Sequence, residues 1–249
     1  MLTFPDISYW VHVTVLHSCF LALFYVCGLF VQKYSVRVNY TRKIMHFSLF
    51  FLPQFLLRFF PYQASVITGL VNAILTMAVL GLFILPLRRR FSLLGTMFKS
   101  IDRPEDRPYT LLWLSTQFLA SYLVLIPLIF YLDQHQLREL LYIPILIIGL
   151  GDGLAEPVGV RFGRHQYTTR AIFSSRSYTR SIEGSLCVFV VSLATILNYH
   201  ELFTPPQFVA ALLLIPVLMT LTEAKSPHTW DSPFLYFVGG VSLILILQL

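Results

Sequence analysis

Charged side chains are scarce in this chain. Asp, Glu, Lys and Arg together make up 12% of its 249 residues, whereas hydrophobic residues make up 56%. A soluble domain carries about 25% charged residues, and the mean hydropathy here is +0.71. The composition therefore excludes an ordinary soluble domain and predicts a polytopic membrane protein surrounded by membrane lipids.

Cysteine is rare as well and shows no ligand or disulfide pattern. Cys19, Cys27 and Cys187 all lie inside apolar runs, and the sequence has no C-x-x-C pair. This pattern excludes a disulfide framework and a cysteine-based zinc site. We expect all three residues to act as small hydrophobic side chains.

Several motifs of well-known phosphate-binding enzymes are also missing. The chain has no G-x-x-x-x-G-K-[ST] phosphate loop and no H-R-D or D-F-G kinase set. Its N-terminus has neither a basic n-region nor an A-x-A cleavage site, so we expect the first apolar run to be a retained span. The net charge of +6 is expected to report membrane topology, and we predict no nucleic-acid partner.

The sequence contains eight long apolar runs. A helical span needs about 20 residues, with a range of about 17–25. The runs predict an all-α, polytopic membrane protein with about eight transmembrane helices, in which residues 1–249 form a single integral-membrane domain. They cover residues 8–31, 44–60, 64–87, 110–132, 140–158, 184–198, 207–222 and 233–248.

The fifth run differs from the others because it meets polar and helix-breaking residues. Its continuous apolar part, residues 140–150, is too short to cross a membrane alone, and it leads into Gly151, Asp152, Gly153 and Glu156. Irregular backbone at membrane depth is tolerated only where it is buried in protein or lines a polar cavity. We therefore predict that the fifth transmembrane helix is discontinuous.

Basic residues alternate regularly between the two sides of the membrane. Of the 18 Lys and Arg residues, all but Arg58 and Arg138 fall in the linkers after the first, third, fifth and seventh runs. The positive-inside rule places these linkers in the cytoplasm and both termini outside. The polar motifs of the chain lie in or next to the same linkers, so the topology predicts one active site on the cytoplasmic side.

Three acidic residues interrupt or border the apolar runs. An acid near the bilayer core costs roughly 2.5–3.5 kcal/mol on insertion scales, so such groups are candidates for function. Asp152 and Glu156 would share one face of a helix, and Glu183 opens the next run. Carboxylates bind hard cations such as Mg²⁺ and bridge them to substrate phosphates, so all three are candidate metal ligands. Alternatively, Asp152 caps a helix and Glu156 pairs with Arg161 or Arg164.

Five arginines lie between the last two of these acids. Arginine suits bidentate contact with phosphate, although some of the five must serve topology or anionic lipid headgroups instead. Gly151 and Gly153 would let a ligand approach the backbone closely. Arg180, three residues before Glu183, is the first candidate for a substrate contact. The five are Arg161, Arg164, Arg170, Arg176 and Arg180.

A further basic motif, Arg42-Lys43-x-x-His46, opens the second run on the same cytoplasmic side. It is either a membrane anchor or part of a phosphate site. His46 lies one helical turn past Arg42 and could neutralise a phosphate or relay a proton near neutral pH. Glu223 and Asp231 add acids to the short cytoplasmic turn before the last run.

Taken in order, these motifs resemble the polyprenol kinase family, which includes dolichol kinase and the shorter phytol and farnesol kinases. The resemblance implies an enzyme that transfers a phosphoryl group from CTP, with Mg²⁺, to a long-chain isoprenoid alcohol. The chain looks like a bacterial phytol-kinase-like member, which implies the bacterial inner membrane. The matching motifs are Arg42-Lys43-x-x-His46, Gly151-Asp152-x-x-Ala155-x-x-x-Gly159-x-x-x-Gly163, Arg180-Ser181-x-Glu183-Gly184, and Glu223-x-x-Ser226-Pro227 leading to Asp231.

Within that hypothesis the candidate residues take definite roles. Asp152 and Glu183 are expected to bind Mg²⁺ together with Glu156, or one of them to act as base for the alcohol. His46 is expected to be a catalytic residue that neutralises a phosphate or relays a proton. The CTP would be held by basic, glycine and hydroxyl residues, namely Arg42, Lys43, Gly151, Gly153, Arg161, Arg164, Arg180 and Ser181.

Two other functions stay open. A CTP-dependent cytidylyltransferase acting on a lipid phosphate such as phosphatidate would release pyrophosphate rather than CDP. An ion-coupled transporter would use a broken fifth helix and its acids to bind ions. The acids cluster towards one membrane face and the sequence shows no inverted repeat, which favours the kinase.

Overall fold

The computed structural model describes residues 4–172 and 175–249. These residues are predominantly helical, as the apolar runs predict. Short 3-10 turns lie at Pro104–Asp106, Arg138–Leu141 and His200–Leu202. The described helices and strands are α1 (Ile7–Tyr34), α2 (Val38–Leu57), α3 (Val66–Gly81), α4 (Leu85–Arg90), α5 (Ser92–Lys99), α6 (Thr110–Gln134), α7 (Tyr142–Leu146), α8 (Gly153–Phe162), β1 (Gln166–Arg170), β2 (Ser177–Ser181), α9 (Ile182–Asn198), α10 (Pro205–Lys225) and α11 (Asp231–Ile246).

Each of the eight apolar runs lies mostly in helix, and the described residues include helices of the length and composition that a membrane protein needs. α3, α9 and α11 are apolar but have 16 or 17 residues, or about 24–26 Å of helix against a bilayer core of about 30 Å. α2 carries Arg42 and Lys43 in its first two turns. The predicted number of eight spans therefore stays a prediction. Among the described residues, four segments are long and apolar enough to cross a membrane: Ile7–Tyr34, Thr110–Gln134, Arg138–Phe162 and Pro205–Lys225.

The fifth run stays helical, contrary to the predicted break. The helix continues from Arg138 to Phe162, and the segment Ile147–Asp152 is a π-helical turn between α7 and α8. A π-helical turn accommodates an extra residue inside a helix. The irregular backbone that we expected to break the helix is therefore a widened helical turn. The wide turn ends at Asp152, where the hydrogen-bond pattern returns to that of an α-helix.

The linker between α8 and α9 contains a β-hairpin, which the all-α prediction did not include. β1 and β2 pair antiparallel, with Tyr167 opposite Arg180 and Thr169 opposite Tyr178. Since side chains alternate between the two faces of a strand, these four lie on one face, and they are more buried than the positions between them. Tyrosine and threonine fit strands well, which explains why this linker pairs.

The chain divides into two compact units, Met1–Tyr122 and Leu123–Leu249. In the first unit, α1 packs against α2 and α5. Gly28 permits the close contact between α1 and α5, because a Cβ there would clash with a backbone oxygen of α5. Phe83 and Phe98 belong to the buried hydrophobic cluster of this unit.

In the second unit, α9 is the central helix. It packs against α8, α10 and the π-helical turn, and its Val188 and Ile196 are fully buried. α8 and α9 meet closely, since a Cβ on Gly184 would lie only 2.6 Å from the carbonyl oxygen of Ala155. The hairpin links the C-terminus of α8 to the N-terminus of α9 and therefore lies at that end of the helix pair.

Candidate functional site

Arg180 on β2 is the centre of a buried polar network in the second unit. Its Nη1 donates to Glu223 Oε1 at 2.8 Å and also to the backbone oxygen of Glu223. Its Nη2 donates to Asp231 Oδ2 at 3.4 Å. The side chains of Arg180 and Glu223 are only 13% and 5% exposed. One arginine of the hairpin therefore joins the end of α10 to the start of α11.

Two hydroxyl groups extend this network. Ser185 Oγ donates to Glu223 Oε2 at 2.7 Å, and the hydroxyl oxygen of Tyr167 lies 2.5 Å from Ser185 Oγ. A serine has a single hydroxyl proton, so Tyr167 is the donor in the second bond. Side chains from two strands and three helices thus form the Arg180 cluster, which consists of Tyr167, Arg180, Ser185, Glu223 and Asp231.

The hairpin that carries Arg180 is docked onto the turn between α10 and α11. The backbone amide of His228 donates to the carbonyl oxygen of Arg170 at 3.0 Å. The rings of Tyr178 and His228 stack with centroids 3.5 Å apart and an interplanar angle of 7°. A backbone contact and a ring contact therefore fix the position of β2 relative to Glu223 and Asp231.

Asp152 stands next to the Arg180 cluster. It is buried at the end of the π-helical turn, and its side chain makes no cap hydrogen bond to α8. Burial lowers the pKa of Arg180, but the carboxylates of Asp231, Glu223 and Asp152 outweigh burial and raise that pKa above its usual value. The guanidinium is therefore charged throughout the physiological pH range, and the charge of Asp152 acts on it.

Glu183 and Ser181, two predicted site residues, make other contacts at the start of α9. Glu183 Oε1 lies 2.8 Å from His165 Nδ1, and both carboxylate oxygens accept from the His165 backbone amide at 3.3 Å. Ser181 Oγ accepts from the Gly184 amide at 3.1 Å and so caps α9. These bonds lie beside the Arg180 cluster and are not part of it.

The glycines of the second motif serve the contact between helices. A Cβ on Gly151 would lie 3.1 Å from Val188 Cα, and a Cβ on Gly159 would lie 2.9 Å from Ser181 Oγ. Gly153 is buried at the start of α8. The close approach of a ligand to Gly151 and Gly153 stays a prediction, and the close approach observed at Gly151 is that of Val188 on α9.

The other predicted side chains of this unit are more accessible. Arg161 and Arg164 are exposed near the end of α8, and Glu156 is half-buried on the same helix. The guanidinium of Arg161 lies 5.6 Å from the ring centroid of Phe162. Both arginines are accessible to anionic groups outside the protein, whether lipid headgroups or a nucleotide.

The predicted metal ligands do not form a three-residue site. Across residues 4–172 and 175–249, no group of three or more His, Cys, Asp or Glu side chains could hold a metal ion. Asp152, Glu156 and Glu183 are therefore not assembled as one ligand set. Mg²⁺ usually takes only one or two protein carboxylates and completes its shell with water and substrate phosphates, so the carboxylate of Asp152 still fits such an ion.

Arg42, Lys43 and His46 belong to the first unit. Arg42 Nη1 lies 3.4 Å from Asp106 Oδ2, which also accepts from Arg103 Nε at 2.7 Å. The side chain of Asp106 is 2% exposed, so this ion pair ties α2 to the segment before α6. The ring of His46 packs against phenylalanines of its own helix. A contact between this motif and CTP stays a prediction.

Two members of the Arg180 cluster, Tyr167 and Ser185, are not among the sequence-predicted residues. Tyr167 lies in a Tyr-Thr-Thr stretch, a signal that predicts a strand but not its partner. Ser185 lies in an apolar run, where a serine usually bonds the backbone of its own helix, so no sequence signal marks it. Glu223 and Asp231 belong to the fourth motif and carried no assigned role.

No protein-family model matches the chain, and neither a curated protein nor a solved structure is significantly similar to it.

Proposed function

We propose that this protein is a CTP-dependent kinase that phosphorylates the hydroxyl group of a long-chain isoprenoid alcohol at the cytoplasmic membrane face. The observation that carries the proposal is the meeting of three sequence motifs at Arg180. Asp152 comes from the second motif, Arg180 from the third, and Glu223 and Asp231 from the fourth. Arg180, Glu223 and Asp231 are far apart in the chain but are joined by hydrogen bonds in the second unit, and the charge of Asp152 acts on the same guanidinium.

The charges of this site suit a phosphate that arrives with a divalent cation. Three carboxylates, those of Asp152, Glu223 and Asp231, act on one guanidinium. The site therefore holds three acidic groups against one basic group. Such a site repels a bare triphosphate, whereas it attracts a triphosphate that is bound to Mg²⁺. The charge balance therefore supports a magnesium nucleotide as the ligand.

Arg180 has donors left for a phosphate. A guanidinium carries five N–H donors. Both hydrogens of Nη1 point to Glu223 and one hydrogen of Nη2 points to Asp231. Among the described residues none accepts from Nε, so one edge of the guanidinium, Nε with the second Nη2 hydrogen, can take two phosphate oxygens. Bidentate contact of this kind is the geometry that arginine favours.

In the proposed reaction the alcohol oxygen attacks the γ-phosphorus of CTP, CDP leaves, and the hydroxyl proton passes to a carboxylate. Phosphoryl transfer needs mainly positioning and charge neutralisation from the protein. Arg180 would orient the phosphates, and the Mg²⁺ held by Asp152 would shield their charge. Asp152 and Glu183 are the candidate bases. The apolar helices would leave the isoprenoid tail in lipid while its hydroxyl reaches the site.

The test is a phosphate-transfer assay with detergent-purified protein. The protein is incubated with Mg²⁺, γ-labelled CTP and a mixture of phytol, geranylgeraniol, farnesol and a longer polyprenol. Label in the lipid phase would support the kinase and identify its alcohol. Labelled pyrophosphate formed on addition of phosphatidate would support the cytidylyltransferase instead. If no lipid causes CTP consumption, the kinase is contradicted, and ion flux in proteoliposomes becomes the next measurement.

Asp152→Asn is the variant that tests the site itself. Removing one electrostatic contact to the reacting groups typically costs about 10²–10³ in kcat, so we expect at least a 100-fold loss. The matched control is Asp133→Asn, because Asp133 pairs with Arg138 at 3.3 Å and its side chain is 21% exposed. Near-normal turnover by folded Asp152→Asn would contradict the assignment of Asp152.

A further inference from the structure

We infer that Tyr167 and Ser185 are positioning residues that set the orientation of Arg180 towards the phosphates of the donor nucleotide. This inference rests on the proposed function, in which Arg180 contacts phosphate. It assigns roles to two hydroxyl groups that touch neither the nucleotide nor the alcohol. They act through the carboxylate of Glu223, which lies between them and Arg180.

Ser185 differs from the other buried hydroxyl residues of α9. Ser192 donates to the Val188 carbonyl oxygen at 2.6 Å, and Thr195 donates to the Val191 carbonyl oxygen at 2.7 Å. Bonds of that kind are usual for hydroxyl residues in apolar helices. Ser185 instead donates to a carboxylate of α10, and so its hydroxyl connects two helices.

The direction of the hydroxyl protons follows from the carboxylate of Glu223, the acceptor at the end of this series of hydrogen bonds. Glu223 Oε2 accepts from Ser185, so the proton of Ser185 is committed and its oxygen must accept from Tyr167. Both hydroxyl groups thus point their protons towards Glu223. These two hydrogen bonds hold the carboxylate of Glu223 in one orientation, because Oε2 can rotate away only by losing the hydrogen bond from Ser185.

The consequence for Arg180 follows from the two oxygens of Glu223. With Oε2 held by Ser185, only Oε1 pairs with the guanidinium. Without the serine hydroxyl, both oxygens can turn to Arg180 and form the parallel, bidentate pair that arginine and carboxylate prefer. That pair would change the orientation of the guanidinium and compete with the phosphate for its donors. Ser185 therefore keeps Glu223 from occupying the donors that the nucleotide needs.

The experiment compares Ser185→Ala with Ser192→Ala, a matched loss of a buried hydroxyl on the same helix. A hydrogen bond to a charged group is worth enough to change an affinity by about 10-fold or more. We expect Ser185→Ala to raise the KM for CTP by about that factor while the KM for the alcohol is unchanged. Tyr167→Phe should raise the KM for CTP in the same direction by a smaller factor. Ser185→Thr, which keeps the hydroxyl, should restore it.

Thermal midpoints in detergent are measured for every variant, because a purely structural role predicts a different pattern. If Ser185→Ala and Ser192→Ala change the KM for CTP equally, or if the KM values for CTP and alcohol rise together as the midpoint falls, the inference is overturned. If wild-type protein transfers no label, the proposed function fails and the inference falls with it. If wild type is active and Ser185→Ala keeps the wild-type KM for CTP, the inference alone fails.

Discussion

Glu223→Gln tests how strongly the Arg180 cluster stabilises the second unit. Glutamine keeps the size of the side chain and removes its charge. Removing one partner of a buried ion pair costs about 3–5 kcal/mol when the other charge is left uncompensated. Arg180 would keep Asp231 at 3.4 Å and the backbone oxygen of residue 223, so the loss is smaller. We expect a decrease in the free energy of unfolding of about 1.5–3 kcal/mol, the value of one hydrogen bond between charged groups.

A double-mutant cycle with Arg180→Gln isolates this pair from other effects of the substitutions. The coupling energy between Glu223 and Arg180 should exceed about 1 kcal/mol, within the range found for residues in one network. Asp133 and Arg138 provide the matched surface pair, since their side chains are 21% and 42% exposed. An exposed pair of this kind contributes about 0.2–1 kcal/mol. The free energies are measured by reversible unfolding in mixed micelles with increasing SDS.

The comparison between the two pairs decides the outcome. A coupling energy for Glu223 and Arg180 that is no larger than that for Asp133 and Arg138 would refute the reasoning. It would mean that the buried carboxylate and guanidinium attract each other no more strongly than two solvated groups. The limited exposure of the buried pair, 5% and 13%, would then have no energetic consequence.

Gly184→Ala should lower the free energy of unfolding by about 1–3 kcal/mol, because the new Cβ would lie 2.6 Å from the carbonyl oxygen of Ala155. Gly81→Ala, where nothing lies within 4 Å, should be neutral or slightly stabilising, and equal losses in thermal midpoint would contradict this difference. Burial and the charge of Glu223 raise the pKa of Tyr167 in the folded protein. The stabilising contribution of Tyr167 is therefore present in full below the ordinary tyrosine pKa of about 10. It is lost as the pH rises towards the higher pKa of the folded state. The stability difference between wild type and Tyr167→Phe should therefore be constant from neutral pH to about pH 9 and shrink above about pH 10; a difference that already shrinks near neutral pH would contradict it.

Hydropathy predicted the helices because burial in lipid requires long apolar segments with all backbone groups bonded internally. It could not predict how the fifth run stays helical through Gly149, Gly151 and Gly153. The sequence shows small and acidic residues there, which are compatible with a break or with a widened turn. The observed widened turn packs closely on α9, where a Cβ on Gly151 would lie 3.1 Å from Val188 Cα, and hydropathy does not specify a contact of this kind.

The site was predictable in outline and not in detail. The alternation of basic linkers predicts that the second, third and fourth motifs lie on one membrane side. The structure joins Arg180, Glu223 and Asp231 of these motifs by hydrogen bonds, and the charge of Asp152 acts on Arg180. Topology cannot say which carboxylates meet which arginine, because that depends on strand register. A shift of β2 by one residue would turn Arg180 to the exposed face of the hairpin.

Contacts at the two ends of the hairpin connect the packing of α8 and α9 to the position of the Arg180 cluster. Gly163, at the end of α8, packs on Ser181, which ends β2, and the Ile182 amide donates to the His165 carbonyl oxygen at 2.9 Å. These contacts fix both ends of the hairpin against the helix pair. Because strand positions alternate in facing, fixing the ends also fixes Tyr167 and Arg180 on the inner face. The glycines of the second motif thus contribute to the site through the contacts that hold β2 in the register that places Arg180 on the inner face. This contribution does not require that a glycine contacts a ligand.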